Sequence, residues 1–141
     1  MAIYDSQTQN KSTRNSRNYR DIDLDFARNP VTNDVNVVED VIAVKRSVRN
    51  LVQTNFYERP FQPGTGANLR GRLFEPNDAI TRIGLRNDIK RCISNHEPRV
   101  VVNGIDIQDD SDNNSYRITL NFTIKNFDTQ DSVDIELRRL R

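Results

Sequence analysis

The chain is predicted to fold as an α+β single small domain, an antiparallel sheet with two main helices packed on one face. Three observations predict it. Tyr116, Ile118, Leu120, Phe122 and Ile124 alternate strictly with Arg117, Thr119, Asn121, Thr123 and Lys125, the period of a strand with one buried face. Val133, Ile135 and Leu137 repeat that period after a polar turn. Two segments between residues 40 and 96 instead set apolar side chains at helical spacing with basic residues opposite. At 141 residues, 35% apolar and 29% charged, the chain has the size and composition of one compact domain.

Residues 1–18 are rich in Asn, Ser, Thr and Gln and poor in large apolar groups, so they are expected to form a flexible tail. From Tyr19 to Phe26, Ile22, Leu24 and Phe26 alternate with Asp21, Asp23 and Asp25, which predicts a half-buried strand or extended segment with its aspartates on the solvated face. Asn29-Pro30 and Thr32-Asn33-Asp34 supply turn chemistry before Val35, Val37 and Val38, completing a small hairpin. A helix follows from Asp40, the expected N-cap, to about Asn55, with Val41, Val44, Val48, Leu51 and Val52 on its buried stripe. A short helical turn is expected around Ala67 to Leu73. The second long helix runs from Asn77 or Asp78 to Asn95, with Leu85, Ile89, Cys92, Ile93 and His96 on one side and Arg82, Arg86 and Lys90 on the other. Gly84 weakens it by about 1 kcal/mol relative to alanine unless close packing needs the space. Val100 to Ile107 forms the first strand of the sheet, with a bulge or bend at Asn103-Gly104.

Composition limits the chemistry. One cysteine, Cys92, allows no intrachain disulfide, and with the lone His96 it makes no four-ligand zinc site, so no metal and no cofactor are expected. His96 reads as a helix-end residue on the carbonyl side of the dipole, and Cys92 as a small core residue. The loop from Asp109 to Asn114 partly imitates a calcium loop starting at Asp110, but Ser115 stands where glycine is needed and Asn121 where a bidentate glutamate is needed. No stretch approaches the roughly 18 apolar residues of a membrane span, and the N-terminal residues lack the apolar core of a secretory signal. Net charge is +1, unevenly spread: residues 1–40 carry 5 basic and 7 acidic side chains (−2), 41–99 carry 11 and 5 (+6), and 100–141 carry 5 and 8 (−3). The basic residues alternate with core positions and have no aromatic stacking platform, which argues against nucleic acid as a partner, although a basic RNA-binding module is the weaker third reading.

The loop Asn55-Phe56-Tyr57-Glu58-Arg59-Pro60-Phe61-Gln62-Pro63-Gly64 carries three aromatics and two prolines where a soft polar connection would be expected. With Asp21-Ile22-Asp23, Asn29-Pro30-Val31-Thr32, the basic helix and Glu97-Pro98-Arg99, it resembles the small wedge protein family of contractile-tail baseplates. That family includes the wedge subunit of T-even-like phages and a component of type VI secretion baseplates. The resemblance covers residues 19–141, the expected wedge domain. It implies a structural subunit of the virion tail baseplate, assembled in the host cytoplasm. The implied neighbours are the other wedge proteins, the sheath protein, and tube or hub proteins, with no membrane.

It further implies that Glu97, Pro98 and Arg99 dock on the helical core bundle of the larger wedge proteins. Physically, Pro98 stops the helix and presents a carboxylate and a guanidinium from a stiff corner. Internal pairing of Arg99 with Glu97 or Glu58 is the competing role, and the two roles can coexist. The resemblance also implies a sheet edge that templates the first sheath ring. The last strand, Val133, Asp134, Ile135, Glu136 and Leu137, suits such an edge, and its terminal basic run can equally serve as a guard against aggregation. Glu58, Arg59, Pro60 and Phe61 are implied to form a structural loop, with Phe56 and Phe61 packed, Arg59 bound inside the fold, and Leu69, Leu73 and Phe74 returning to the core. The alternative function is a tail-associated peptidoglycan hydrolase. Its conceivable acids are Glu58, Glu75 and Glu97, but arginines next to or near Glu58 and Glu97 favour the ionised form and oppose use as a general acid, so no catalytic residue is assigned.

Overall fold

The computed structural model describes residues 19–110, 113 and 115–138. The expected tail over residues 1–18 lies outside them, as does part of the acidic loop that imitates a calcium site. The chain divides into two units, Met1–Asp40 and Val41–Arg141.

In the first unit, β1 (Arg20–Ile22) pairs antiparallel with β2 (Val37–Glu39), with Arg20 opposite Glu39. Those two side chains form an ion pair at 2.9 Å. The Asn29 side-chain oxygen accepts the N–H groups of Val31 (2.9 Å) and Thr32 (3.3 Å), which closes the turn. The hairpin is present as expected, but its alternation is not. Asp23 is buried, while Ile22, Leu24 and Phe26 are exposed. The reason is local: the Asp23 carboxylate accepts the Asp25 N–H at 3.1 Å and its own N–H donates to the Asn36 carbonyl at 2.8 Å. Side-chain-to-backbone bonding thus ends the strand at Ile22 and overrides the two-residue period.

The second unit contains α1 (Asp40–Gln53) from Val41 onward, α2 (Leu69–Arg72), α3 (Ala79–His96) and the strands β3 (Val100–Asp110), β4 (Ser115–Ile124) and β5 (Thr129–Arg138). The strand order is β3-β4-β5, both pairs antiparallel, with the expected irregularity between Val102 and Gly104. Tyr116, Ile118, Leu120, Phe122 and Ile124 are all buried, and so are Val133, Ile135 and Leu137. They share the core with Val44, Val48, Leu51 and Val52 of α1 and Leu85, Ile89, Cys92 and Ile93 of α3. Each large aliphatic or aromatic side chain fully buried there contributes about 1.5–3 kcal/mol. Tyr116 ties β4 to the segment before α3 by donating its hydroxyl to the Asn77 side-chain oxygen at 2.8 Å.

The caps show where local chemistry decides. Asp78 caps α3, its carboxylate accepting the Thr81 N–H at 2.7 Å. Asp40 stands at the start of α1 with a left-handed backbone, φ 52°, and its Oδ1 is buried without a hydrogen-bond partner, so that oxygen does not make the expected cap bond. His96 lies in the last turn of α3 but is exposed, off the apolar stripe. Gly84 is where close packing needs the space: a Cβ there would come within 2.8 Å of the Arg72 guanidinium. Arg72 crosses that position to pair with Asp88, and with Glu75 at 3.2 Å.

Candidate functional site

The corner at Glu97-Pro98-Arg99 joins α3 to β3. The Glu97 N–H donates to the Ile93 carbonyl at 2.8 Å, closing the last turn of α3, and Pro98 prevents the helix from continuing. The chain therefore turns with the Glu97 side chain inward, at 3% exposure, while Pro98 is exposed. Arg99 reaches back to it in a two-pronged pair, Nε to Oε1 at 2.6 Å and Nη2 to Oε2 at 2.7 Å. Ser47 of α1 donates its hydroxyl to Oε2 at 2.6 Å, so the carboxylate bridges three elements. Burial pushes the Glu97 carboxyl upward, but the hydrogen bonds from Arg99 and Ser47 outweigh it and hold the group below the ordinary glutamate range. The internal pairing expected as the competing role is thus present, with Glu97 rather than Glu58. The Arg99 side chain keeps 24% of its surface exposed. What faces outward is Pro98 and part of Arg99, with Glu97 as the brace behind them.

β5 is an edge strand among the described residues. Ser132 donates its N–H to the Asp131 carboxylate at 2.7 Å, and the Asp134 carbonyl accepts from Arg49 Nη2 at 3.3 Å. These bonds place the backbone groups of Ser132 and Asp134, and by the two-residue period those of Glu136 and Arg138, on the side away from β4. The basic face of α1 covers the start of this edge, since Lys45 also pairs with Asp131 at 2.8 Å. Beyond it, a cleft of about 460 Å³ opens beside Glu136, Leu137 and Arg138, walled by Leu69, Leu73 and Phe74. Sequence periodicity gave no sign of this cleft, because it forms where α2, a four-residue helix, leaves a gap beside the sheet.

The aromatic loop differs from expectation. Tyr57 is 84% and Phe61 98% exposed, Phe56 is 42% exposed, Arg59 is exposed, and Phe74 does not return to the core. Leu69 and Leu73 do. Backbone bonding explains the outward aromatics: the Tyr57 N–H donates to the Pro63 carbonyl at 2.9 Å with Tyr57 at φ 67°, which curls the segment on itself. Glu58 does not pair with Arg59. Its carboxylate accepts the Asn55 N–H at 2.9 Å and the Asn55 side-chain amide at 2.7 Å, and these bonds lower its pKa. Gly66, at φ 123°, passes against the Thr54 carbonyl, where a Cβ would lie 2.3 Å from the oxygen.

Two of the three conceivable hydrolase acids are therefore shifted toward the ionised form, and the third, Glu75, is paired with Arg72. Burial raises the Cys92 thiol to about 11, and it points at the Leu51 carbonyl. Among the described residues no group of three His, Cys, Asp or Glu side chains could hold a metal ion, and no helix is long and apolar enough to cross a membrane.

Comparison with known proteins agrees with this architecture. Residues 38–128, well over half of the chain, match the family of the baseplate wedge protein gp25. The baseplate wedge protein gp25 of Enterobacteria phage T4 is 30% identical over 95 residues, 65% of this chain and 71% of that protein. The fold is similar to that of a Geobacter sulfurreducens protein designated a tail lysozyme, with a TM-score of 0.64 at 17% identity, over 70% of this chain and 89% of that one. It is also similar to a chain of the anti-feeding prophage baseplate, with a TM-score of 0.63 at 21% identity over 86% of each chain. A chain of the post-contraction pyocin R2 baseplate aligns with a TM-score of 0.52 at 14% identity, over 80% of this chain and 97% of that one.

Proposed function

This chain belongs to the baseplate wedge protein gp25 family, a structural component of contractile tails, and from that membership we propose that it joins the wedge core to the first layer of sheath. On this reading residues 19–141 form the wedge domain and residues 1–18 an appended segment. The corner Glu97-Pro98-Arg99 docks on the helical core bundle of the larger wedge proteins, and the edge Val133–Leu137 receives sheath strands. Glu58, Arg59, Pro60 and Phe61 act as a shaped structural loop near the tube-facing or wedge-facing surface.

One observation carries the docking half. Glu97 is held by both Arg99 and Ser47, so Pro98 and the exposed part of Arg99 stand on a support that loses little freedom when a partner covers them. The templating half draws on β5 being an edge strand whose outward backbone groups at Glu136 and Arg138 lie beyond the bonds that take up those of Ser132 and Asp134. Catalysis is not part of the reading. A glycosidase needs an acid with a raised pKa, and Glu58 and Glu97 are moved the other way. The likeness to a designated tail lysozyme is one of fold.

The test is co-purification of the wild type, Pro98→Ala and Arg99→Ala with the large wedge proteins of the same tail, with circular dichroism as the control for folding. Retention of the wild type and loss of folded Pro98→Ala and Arg99→Ala variants is the expected result. Equal retention of all three would make the corner internal bracing alone, and lytic activity of the wild type on peptidoglycan would reinstate the hydrolase.

A further inference from the structure

We propose that the sheath segment added to this subunit pairs with the C-terminal half of β5, Glu136–Arg138, and locks there by inserting one large apolar side chain into the cleft beside α2. This rests on the reading of β5 as the sheath-receiving edge and names which part of it is used and by what.

The first half of the edge is occupied from within. The Asp131 carboxylate, itself held by Lys45 at 2.8 Å, takes the Ser132 N–H at 2.7 Å, and Arg49 lies on the Asp134 carbonyl at 3.3 Å, so an incoming strand would have to displace both of these bonds to pair there. The outward groups of Glu136 and Arg138 lie past that cover. In an added strand, the residue opposite Leu137 must point to the same sheet face as Leu137, because partners across a ladder share a face. Leu137 points into the core and lines the cleft together with Leu69, Leu73 and Phe74. The side chain opposite Leu137 therefore enters a cleft of about 460 Å³, roomy enough for Leu, Ile or Phe. On the other face Glu136 and Arg138 pair with each other at 2.7 Å. They favour a polar residue on each side of the anchor, basic opposite Glu136 and acidic opposite Arg138.

The occupant is thus an extended sheath segment of polar, large apolar, polar pattern. A second copy of this chain satisfies the charges but not the cleft: β5 against β5 sets Leu137 opposite Leu137, and each is already buried in its own core, leaving both clefts unfilled. The anchor must come from a residue that its own fold has not consumed.

The experiment uses baseplates assembled with this chain and its large wedge partners, to which the sheath protein of the same tail is added, with captured sheath measured by sedimentation. Phe74 is 79% exposed, so Phe74→Ser leaves the fold intact, and Phe74→Leu restores an apolar wall. Capture is expected to fall roughly tenfold in Phe74→Ser and to stay within about twofold in Phe74→Leu. The amides of Glu136 and Arg138 should exchange more slowly once sheath is bound. Undiminished capture by Phe74→Ser overturns the cleft anchor and leaves the edge reading standing. No capture by the wild type removes the edge reading itself. A dimer of the free chain that Phe74→Ser abolishes would make the occupant a second copy and likewise overturn the proposal.

Discussion

Removing Arg99 should cost more than removing the charge of Glu97, although the two form one pair. In Arg99→Ala the Glu97 carboxylate, 3% exposed in the wild type, loses two charged hydrogen bonds of 2.6 and 2.7 Å and keeps the Ser47 hydroxyl and the backbone N–H of residue 99. Breaking a buried pair in this way costs about 3–5 kcal/mol. The partial exposure of Arg99 screens some of the attraction, which places the expected loss near 3 kcal/mol. Glu97→Gln leaves instead a guanidinium that can turn to water, and its expected cost is about 2 kcal/mol, that of a charged hydrogen bond. The double variant should lose about 3 kcal/mol rather than the sum, a coupling of about 2 kcal/mol. Acid gives an independent check. Because the folded Glu97 pKa is lowered, the pair's contribution is fully present above the ordinary value of 4.5 and is lost as pH falls below it through the folded pKa. The gap between wild type and Glu97→Gln should therefore narrow toward pH 3. Urea unfolding followed by circular dichroism at pH 7 and at low pH measures all of this. An Arg99→Ala loss under about 1 kcal/mol, or a gap that widens in acid, would refute the brace.

Gly66→Ala should destabilise by about 2–4 kcal/mol, since it meets both a left-handed backbone and the Thr54 carbonyl; thermal melts will show it. Gly84→Ala should be near neutral in the wild type, where helix propensity gained is offset by displacing Arg72, and stabilising by about 1 kcal/mol in an Arg72→Ala background; denaturant midpoints of the four proteins decide it. Phe61→Ser should change stability by less than about 0.5 kcal/mol, because a side chain 98% exposed has almost no packing to lose. The Cys92 thiol, raised to about 11, should resist a disulfide reagent at pH 8 in the native protein and react once it is unfolded.

Much of the second unit was legible because its elements follow one rule each. β4 alternates from Tyr116 to Ile124, α3 has an apolar stripe and a capping aspartate, and Asn103-Gly104 marks the bulge. Ser47 was not legible as part of the corner. Its contact with Glu97 spans fifty residues, and nothing in the local sequence singles out one serine on a basic helix. The hairpin and the aromatic loop misled in the same way. In both, a carboxylate near the turn captures a backbone N–H, Asp23 that of Asp25 and Glu58 that of Asn55, and these bonds turn the chain before the apolar period can act.

Ile22, Leu24 and Phe26 in the first unit and Phe61 and Phe74 in the second are expected inside and are exposed. Exposed aromatic and aliphatic groups favour association, so a sequence that keeps them on a surface is tolerable where neighbours cover that surface. The loop carrying Phe61 is also stiff, with Pro60, Pro63, a left-handed Tyr57 and the Glu58–Asn55 bonds limiting its alternatives. Stiffness does little for a solvated loop, but it lowers the ordering cost when a partner packs on it. The corner follows the same logic with ionic rather than aromatic chemistry, a buried carboxylate holding Pro98 and Arg99 in place. Local rules fail in this chain where backbone and side-chain bonds hold groups outward, which is the arrangement a baseplate subunit requires if its surface is completed by its neighbours.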